Sequence, residues 1–313
     1  MGWNPSLEPE GPQKSSFDSV ETVIMPRSRD LGGFSVARVL PSAKRRMIGP
    51  FVFLDHFGPT RFDPGEGGID VRPHPHIGLA TVTYLLEGEF QHRDSLGTNQ
   101  MIYPGEVNWM IAGHGIAHSE RTSDATRAKG HALLGLQTWV ALPKTHEDMA
   151  PAFEHVERTA LPHLEADGLD ARLILGTAYG EHAPVKTFQE MFYLSAMLRA
   201  GASMALPDTY EERGLYLLSG SVLIGDMAFE ACQLLVFKPG ENTTLTAGAD
   251  GAEFVLLGGE PMDGPRYLWW NFVASTKDRI EAAKADWLDP ERRAKRFPLP
   301  PDDASDFIPL PDH

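Results

Sequence analysis

The stretch Pro73-His74-Pro75-His76-Ile77-Gly78 holds two histidines that are separated by one residue. In an extended strand, side chains at positions i and i+2 point to the same face, so the two imidazoles are predicted to point together. A second stretch, Gly113-His114-Gly115-Ile116-Ala117-His118-Ser119-Glu120, repeats this spacing with a histidine and a glutamate. Two such strands facing each other in a barrel would surround one ion with ligands that transition metals bind. The predicted metal ligands are His74, His76, His118 and Glu120.

The segment after Gly78 indicates which face of the strand is buried. The apolar residues Val82, Tyr84 and Leu86 alternate with threonines. Without a bulge, the two histidines continue this apolar face, which we interpret as the inward face of the barrel. Gly78 is the residue best suited to a bulge, and a bulge there would upset the count. The alternative is an exposed histidine pair on an edge strand, which the second His-x-Glu pair disfavours.

Length and composition describe an ordinary chain of 313 residues with room for two domains. The formal net charge of -15 is opposite to the basic surface that phosphate backbones require, so no direct nucleic-acid binding is expected. The one cysteine, Cys232, lies in an apolar run that predicts a buried strand, and it cannot form an internal disulfide. A reducing compartment is expected. Apolar segments of signal-peptide or membrane-spanning length are not found, which predicts a cytoplasmic protein without membrane contact.

Short segments rich in β-branched and aromatic residues, punctuated by glycine and proline, continue along the chain from residue 20. Such strands predict an all-β sandwich or barrel. Residues 143–168 carry many charges and little alternation, and we interpret them as a connector. The predicted regions are a loose arm (1–19), an N-terminal metal-binding barrel (20–150), the connector with a metal-free second barrel (151–290), and a tail rich in proline and aspartate (291–313).

An internal repeat supports two barrels. Tyr84-Leu85-Leu86-Glu87-Gly88 recurs as Tyr216-Leu217-Leu218-Ser219-Gly220, and Ile102-Tyr103-Pro104-Gly105 recurs as Phe237-Lys238-Pro239-Gly240. A unit of strand, turn and strand has been duplicated.

The repeat also predicts where the metal site lies. Aligning the halves places Leu206 and Asp208 at the positions of the first histidine pair, and Glu253 and Val255 near the positions of the second pair. The second half contains no imidazoles at these positions. One metal site per chain, in the first half, is therefore expected.

The sequence beyond residue 272 is typical of helix. Ser275 and Asp278 resemble a capping box, and Ile280, Ala283 and Trp287 fall at helical spacing. The basic run at residues 292–296 is interpreted as a solvated helix end. The tail after residue 297 is expected to drape over a neighbouring element or to remain disordered.

Several motifs follow one another along the chain: Asp55-His56-Phe57-Gly58, His74-Pro75-His76, Thr83-Tyr84-Leu85-Leu86-Glu87-Gly88, Pro104-Gly105-Glu106-Val107-Asn108-Trp109-Met110, Gly113-His114-Gly115-Ile116-Ala117-His118-Ser119-Glu120 and Pro184-Val185-Lys186-Thr187. Their order and spacing resemble the pirin family, whose members are two-barrel cupins. The resemblance implies a bicupin: two double-stranded β-barrel (jelly-roll) domains in tandem with a short C-terminal helix. It departs at Ala80, where many pirins carry glutamate, and we expect this substitution to affect pocket volume and polarity more than metal binding.

The resemblance also implies chemistry. It implies one metal ion, usually iron, held by residues that match His74, His76, His118 and Glu120; Mn, Ni, Zn and Cu are alternatives. Some pirins cleave flavonols such as quercetin with dioxygen, which makes this chain a candidate dioxygenase with a small aromatic substrate and with Glu120 as the proton acceptor. The alternative is a metal-dependent regulatory protein that binds a transcription factor or metabolic enzyme without turnover. Isomerase and thiol dioxygenase chemistry rank third.

Other residues of the motifs have structural interpretations beside functional ones. His56 is either a hydrogen-bond donor to the pocket or a structural turn residue, and His114 is placed near the pocket entrance. Trp109, Met110 and Tyr84 are interpreted as core or pocket wall. The remaining histidines have polar surroundings that predict solvated side chains: His92, His131, His146, His155, His163 and His182. Serine hydrolase and nucleotide-binding motifs are not found.

Overall fold

The computed structural model describes residues 19–30 and 35–311, so the predicted arm lies almost wholly outside the described residues. Strands dominate, which confirms the all-β prediction. The strands up to residue 156 are β1 (Val20–Ile24), β2 (Arg27–Asp30), β3 (Ser35–Leu40), β4 (Phe51–Phe62), β5 (Asp70–His76), β6 (Leu79–Glu87), β7 (Phe90–Asp94), β8 (Asn99–Ile102), β9 (Val107–Ile111), β10 (Ile116–Arg121), β11 (His131–Ala141) and β12 (Ala152–Val156), with helix α1 (Asp124–Lys129) before β11.

The remaining elements form the second half and the C-terminal segment. The strands are β13 (His163–Ala166), β14 (Leu169–Ala178), β15 (Glu181–His182), β16 (Met191–Leu198), β17 (Ser203–Ala205), β18 (Glu212–Ile224), β19 (Met227–Glu230), β20 (Leu234–Phe237), β21 (Thr244–Gly259), β22 (Tyr267–Trp269) and β23 (Phe272–Ala274). The helices are α2 (Lys277–Leu288) and α3 (Pro290–Arg296).

Two sheets build the first half. A seven-stranded sheet has the order β12-β9-β6-β11-β4-β3-β2, and a four-stranded sheet has the order β5-β10-β7-β8. The histidine pair is on β5 and the His-x-Glu pair is on β10, and these strands are antiparallel neighbours. The two predicted motifs therefore lie side by side in one sheet and not on strands that face each other.

A single large sheet forms the second half, with the main order β1-β20-β18-β21-β16-β14-β13. Its outermost strand β1 comes from the start of the chain and pairs with β20, whereas β12, which follows residue 150, pairs with β9 in the first half. Strand β1, at the start of residues 20–150, thus belongs to the sheet of the second half. Strand β12, just after residue 150, belongs to a sheet of the first half. The division of the chain into domains at residue 150 stays a prediction.

The seven-stranded sheet has two buried faces. Leu54, Val82 and Leu136 belong to one face, which packs against side chains of the second half such as Tyr193 and Val255. The opposite face lines a cavity within the first half. Because both faces are buried, apolar alternation along a strand does not identify the face that carries the site.

The prediction that His74 and His76 share a face with Val82 and Tyr84 is wrong, because the apolar alternation marks the face that packs against the second half. Val82 and Tyr84 face the second half, whereas Thr83 faces the cavity side, where its hydroxyl donates to Gln137 Oε1 at 2.9 Å. The histidine pair lies on a separate strand, and Gly78 turns the chain between β5 and β6 with a φ of +64°. A Cβ at Gly78 would lie 2.1 Å from the Val273 carbonyl oxygen, so only glycine fits this turn.

The duplicated motifs take matching positions in the two halves. Tyr84 on β6 and Tyr216 on β18 both pack between the halves, and Gly88 and Gly220 both have positive φ. Leu206, the counterpart of the first histidine, packs in the core of the second half. Sequence duplication is therefore matched by structural duplication.

The C-terminal segment folds back onto the first half. The α2 residues Ile280, Ala283 and Trp287 are buried, as their spacing predicts. The capping-box interpretation is wrong, because Ser275 lies before the helix and donates through its backbone N and its Oγ to Glu147 instead. The tail is ordered and drapes as predicted: the Ile308 backbone N–H donates to the Pro73 carbonyl oxygen at 2.8 Å.

The position of Cys232 and the lengths of the helices bear on two further sequence predictions. Cys232 is exposed and not buried, because it occupies the turn between β19 and β20 with a φ of +63°. None of the helices in residues 19–30 and 35–311 has the length and apolarity that a membrane crossing requires.

Candidate metal centre

Three histidines converge at the wall of the cavity. His74 and His118 are opposite each other in the β5 and β10 pair, and His76 is opposite Ile116. One nitrogen from each of the three rings lies within 4.8 Å of the others, and all three side chains are buried. The prediction that these imidazoles come together is met in the geometry of the structure.

Backbone carbonyl groups orient two of the rings. His74 Nδ1 donates to the Arg72 carbonyl oxygen at 2.9 Å, and His76 Nδ1 donates to the Asn271 carbonyl oxygen at 3.0 Å. A neutral imidazole that donates through Nδ1 carries its lone pair on Nε2. The two donations therefore leave the Nε2 atoms as free ligands.

The donor set fits a transition metal ion. His76 Nε2 lies 3.0 Å from His118 Nε2, which is about the separation of two ligands at right angles around an ion with bonds of roughly 2.1 Å. Burial lowers the pKa of His74 to about 4, and it lowers the pKa values of His76 and His118 well below their usual range. The rings are therefore neutral at pH 7, as coordination requires.

Glu120 lies beside this group but is not part of it. Its Oε1 is 3.4 Å from His118 Nδ1, and a register shift relative to β5 falls between His118 and Glu120. Its Oε2 is buried and has no hydrogen-bond partner among the described residues. Burial raises the pKa of Glu120 to about 8, against the opposing charge of Arg121. The place of Glu120 as the fourth ligand stays a prediction.

His92 is a residue of the site that the sequence prediction missed. It is buried, not solvated, and its Nδ1 lies 3.4 Å from His118 Nδ1. On its other side, Nε2 lies 3.0 Å from Asp94 Oδ2. The available signal was the pattern Phe90-x-His92-x-Asp94, in which all three residues are buried on one face of β7.

The cavity next to the histidines has a volume of about 370 Å³, which is within the range of about 300–1,000 Å³ for sites that hold small molecules. Its wall is mostly apolar and aromatic. The lining residues on the seven-stranded sheet are Val36, Arg38, Phe53, Asp55, Phe57, Gln137 and Trp139. Phe53 and Trp139 are stacked, with ring centroids 3.9 Å apart and planes 10° apart.

The C-terminal segment supplies the rest of the wall. Trp270 and Asn271 form the two-residue turn between β22 and β23 and line the cavity, as does Ile308 of the tail. Trp270 has a φ of +51°, a conformation that glycine usually takes in such turns. The carbonyl group that orients His76 thus belongs to a turn far away in sequence, which no local pattern indicates.

Other residues that were considered from the sequence lie away from the cavity. His56 faces the second half, and its Nδ1 is 3.0 Å from Tyr216 Oη. His114 is exposed, and its carbonyl oxygen accepts from Arg296 Nε. Ala80 packs between the halves, so the expectation that it alters the cavity is wrong. Core packing of Tyr84, Trp109 and Met110 is confirmed.

The fold and the site together define a bicupin, a chain of two double-stranded β-barrels in which one barrel carries a buried histidine cluster. Two family models match the sequence: the one described as Pirin matches residues 33–140, and the one described as Pirin C-terminal cupin domain matches residues 193–292. The chain belongs to the pirin family.

Individual relatives agree with this assignment. A pirin-like protein of Caulobacter vibrioides is 49% identical over 295 residues, which cover 94% of this chain and 100% of the relative. A Pseudomonas aeruginosa protein provisionally named quercetin 2,3-dioxygenase is 40% identical over 267 residues, which cover 85% of this chain and 82% of the relative. The crystal structure of quercetin 2,3-dioxygenase from Acinetobacter baumannii has a TM-score of 0.86 and 35% identity, and the match covers 96% of this chain and 98% of that chain.

Proposed function

We propose that this chain binds one divalent transition metal ion, Fe(II), through His74, His76, His118 and Glu120, and that it cleaves flavonols such as quercetin with dioxygen. The observation that carries the proposal is the convergence of three buried, neutral imidazoles at the wall of an aromatic cavity. Relatives that carry the name quercetin 2,3-dioxygenase support the choice of substrate. The single exposed cysteine is compatible with a cytoplasmic location.

The metal and the protein have separate parts in this proposal. When bound, a divalent ion supplies positive charge that favours the anionic form of a flavonol hydroxyl, and open coordination positions for oxygen chemistry. The protein surrounds the substrate with apolar walls. Phe53, Trp139 and Trp270 supply aromatic surface to the cavity wall, and the apolar lining keeps water away from the reacting atoms.

Glu120 is the residue that we assign to proton transfer. It lines the cavity beside the histidines, and its buried Oε2 has no hydrogen-bond partner among the described residues. In its ionised form, a carboxylate oxygen so placed accepts the proton of a substrate hydroxyl, and the raised pKa of about 8 makes that form a stronger base. Its Oε1 lies 3.4 Å from His118 Nδ1, which places the carboxyl group beside the histidine cluster.

The experiment that tests the proposal joins metal analysis with turnover. Protein purified without added metal is analysed for Fe, Mn, Ni, Zn and Cu, and each metal is then restored to the metal-free protein under air with quercetin. We expect quercetin consumption with release of carbon monoxide, fastest with Fe(II). The proposal fails if no metal supports carbon monoxide release, and the iron assignment fails if another metal supports faster turnover.

A metal-dependent regulatory role is the second candidate. The observation that favours it is the second half, where Leu206, the counterpart of the first histidine, packs in the core. That half adds surface to which a partner such as a transcription factor or a metabolic enzyme would bind. Partner capture that requires the metal, from a protein that turns over no flavonol, would support this candidate.

A further inference from the structure

An ion pair lies in the wall of the cavity and has no part in holding the histidines. Arg38 Nε donates to Asp55 Oδ1 at 2.8 Å, and Arg38 Nη2 donates to Asp55 Oδ2 at 2.8 Å. Both residues line the cavity. Asp55 is buried, and the Arg38 side chain is 25% exposed. Two parallel hydrogen bonds of this kind fix the geometry of both groups.

A continuous row of rings connects this pair to the histidines. The Arg38 guanidinium lies over the Phe53 ring at 4.5 Å, and Phe53 stacks on Trp139 at 3.9 Å. The edge of His76 meets Trp139 with ring centroids 5.0 Å apart. An aromatic ligand that lies along this row would have one end at the histidines and the other at the ion pair.

The strand register places a third polar group at the same level as the pair. Gln137 on β11 is directly opposite Asp55 on β4. This pair lies two residues along the strands from the opposed Trp139 and Phe53, and therefore on the same face of the sheet. Gln137 also lines the cavity, and Thr83 occupies its Oε1. The polar groups are therefore concentrated at one level of the seven-stranded sheet, whose other cavity-lining residues are apolar or aromatic.

The pair retains capacity for a ligand after its internal hydrogen bonds are made. The two bonds to Asp55 use only part of the donors of a guanidinium, and each carboxylate oxygen has a further lone pair. The opposite charges offset each other, so the pair does not attract a carboxylate strongly. A neutral hydroxyl suits it better, because a hydroxyl accepts from Arg38 and donates to Asp55.

We propose that the Arg38–Asp55 pair recognises hydroxyl groups on the aromatic ring of the substrate that is remote from the histidines. The substrate class is a planar polyphenol that is hydroxylated at both ends. One end carries the oxygens directed to the metal, and the other carries phenolic hydroxyls. This inference rests on the proposed function, because it assigns the specificity of the same cavity.

The test compares three flavonols whose pendant phenyl ring carries two, one or no hydroxyl groups. Binding to the full-length, metal-loaded protein is measured without oxygen, through quenching of tryptophan fluorescence. We expect the wild type to bind the dihydroxylated compound at least about tenfold more tightly than the compound without ring hydroxyls, since hydrogen bonds to charged groups are stronger than those between neutral groups.

The test variant is the double substitution Arg38→Met and Asp55→Leu, which removes both charges and avoids leaving one buried and unpaired. We expect it to bind the three flavonols equally and to bind the one without ring hydroxyls as the wild type does. The matched control is Arg199→Met with Asp167→Leu, a highly exposed ion pair in the second half. The control should keep the wild-type preference.

The outcomes separate this inference from the proposed function. A wild type without preference, or a test variant that retains the preference, overturns the inference. If the double variant does not fold, Arg38→Lys replaces it. This variant keeps the positive charge but cannot make the two parallel hydrogen bonds of a guanidinium. An unchanged preference in it would again overturn the inference. If the preference is observed but carbon monoxide is never released, recognition stands and the dioxygenase proposal fails.

Discussion

The Nδ1 atom of His92 lies 3.4 Å from the Nδ1 atom of His118, which places a fourth imidazole beside the three-histidine cluster. Asp94 is fully buried, and its Oδ2 lies 3.0 Å from His92 Nε2. If His92 donates to Asp94, its Nδ1 is an acceptor for the Nδ1–H of His118. The Nε2 atom of His118 is then available to a metal ion, as are the Nε2 atoms of His74 and His76.

Replacing His92 should therefore weaken metal binding without removing a ligand. We predict that His92→Phe, which keeps the stacking with Phe153, lowers metal affinity about 10–100-fold. Competition with a chelator of known affinity measures the change. The matched control is His163→Phe, because His163 makes a similar contact to Asp170 at 3.1 Å on the surface. Equal metal affinity in both variants would contradict the orienting role.

Loss of a ligand should have a larger effect. We predict that His76→Ala purifies with little metal and yet remains folded, because the buried residues of the core between the halves and of the core of the second half do not line the cavity. Elemental analysis and circular dichroism measure the two properties. His114→Ala is the control, since His114 is exposed and lies outside the cluster. Full metal content in His76→Ala would show that the ligand set is wrong.

The role of Glu120 is tested by a pair of substitutions. We predict that Glu120→Ala lowers metal content and that Glu120→Gln lowers turnover, because an amide cannot take the substrate proton. Elemental analysis gives the first result, and carbon monoxide release gives the second. Normal metal content in Glu120→Ala would mean that the three histidines, whose nitrogens lie within 4.8 Å of one another, are sufficient to hold the metal.

The parts of the site that the sequence predicted are those encoded by local spacing. His74 and His76 point together because strands have a period of two, and the Pro-Gly turns and the glycines with positive φ mark the duplicated unit. His92 was missed because the charged residues around it suggested a solvent-exposed loop. Burial of the His92 face of β7 depends on contacts from distant strands, such as the Phe153 ring that stacks on His92, which the segment itself does not encode.

The register error has a different cause. Alternation identifies a buried face, but β6 is buried on both faces, and its more apolar side, at Val82 and Tyr84, packs against the second half. The contacts from Asn271 and Ile308 were not predictable either, because they depend on how the C-terminal segment returns to the first half. Sequence motifs thus indicated the histidine cluster but not the walls of the cavity.

The tail should contribute to substrate binding. Ile308 lines the cavity and is tied to the first half through its backbone hydrogen bond to Pro73. We predict that Ile308→Ala raises KM about tenfold and leaves metal content unchanged, since a lost apolar contact costs about 1–3 kcal/mol in a hydrophobic pocket. The matched control is Leu310→Ala, because Leu310 packs against the buried cluster that includes Phe272, Trp287 and Phe297 and does not line the cavity. An identical KM in both variants would contradict a role for the tail.

His56 should make stability depend on pH through the interface between the halves. Burial lowers its pKa from 6.5 to about 4, and its Nδ1 contacts Tyr216 Oη at 3.0 Å. As the pH falls below 6.5, the unfolded chain takes up a proton at this residue before the folded chain does, so the free energy of unfolding decreases. The loss at this residue should reach about 3 kcal/mol by pH 4.

The measurement is urea unfolding of the wild type and of His56→Gln at a series of pH values between 6.5 and 4. Glutamine has no proton to gain in this range, so the stability of the variant should fall less steeply and the difference between the two proteins should shift in its favour as the pH falls. Other buried histidines titrate in both proteins and cancel in this difference. His182→Gln is the control, because His182 is exposed and should leave the wild-type slope unchanged. Parallel slopes for the wild type and His56→Gln would show that His56 does not titrate differently in the folded and unfolded states.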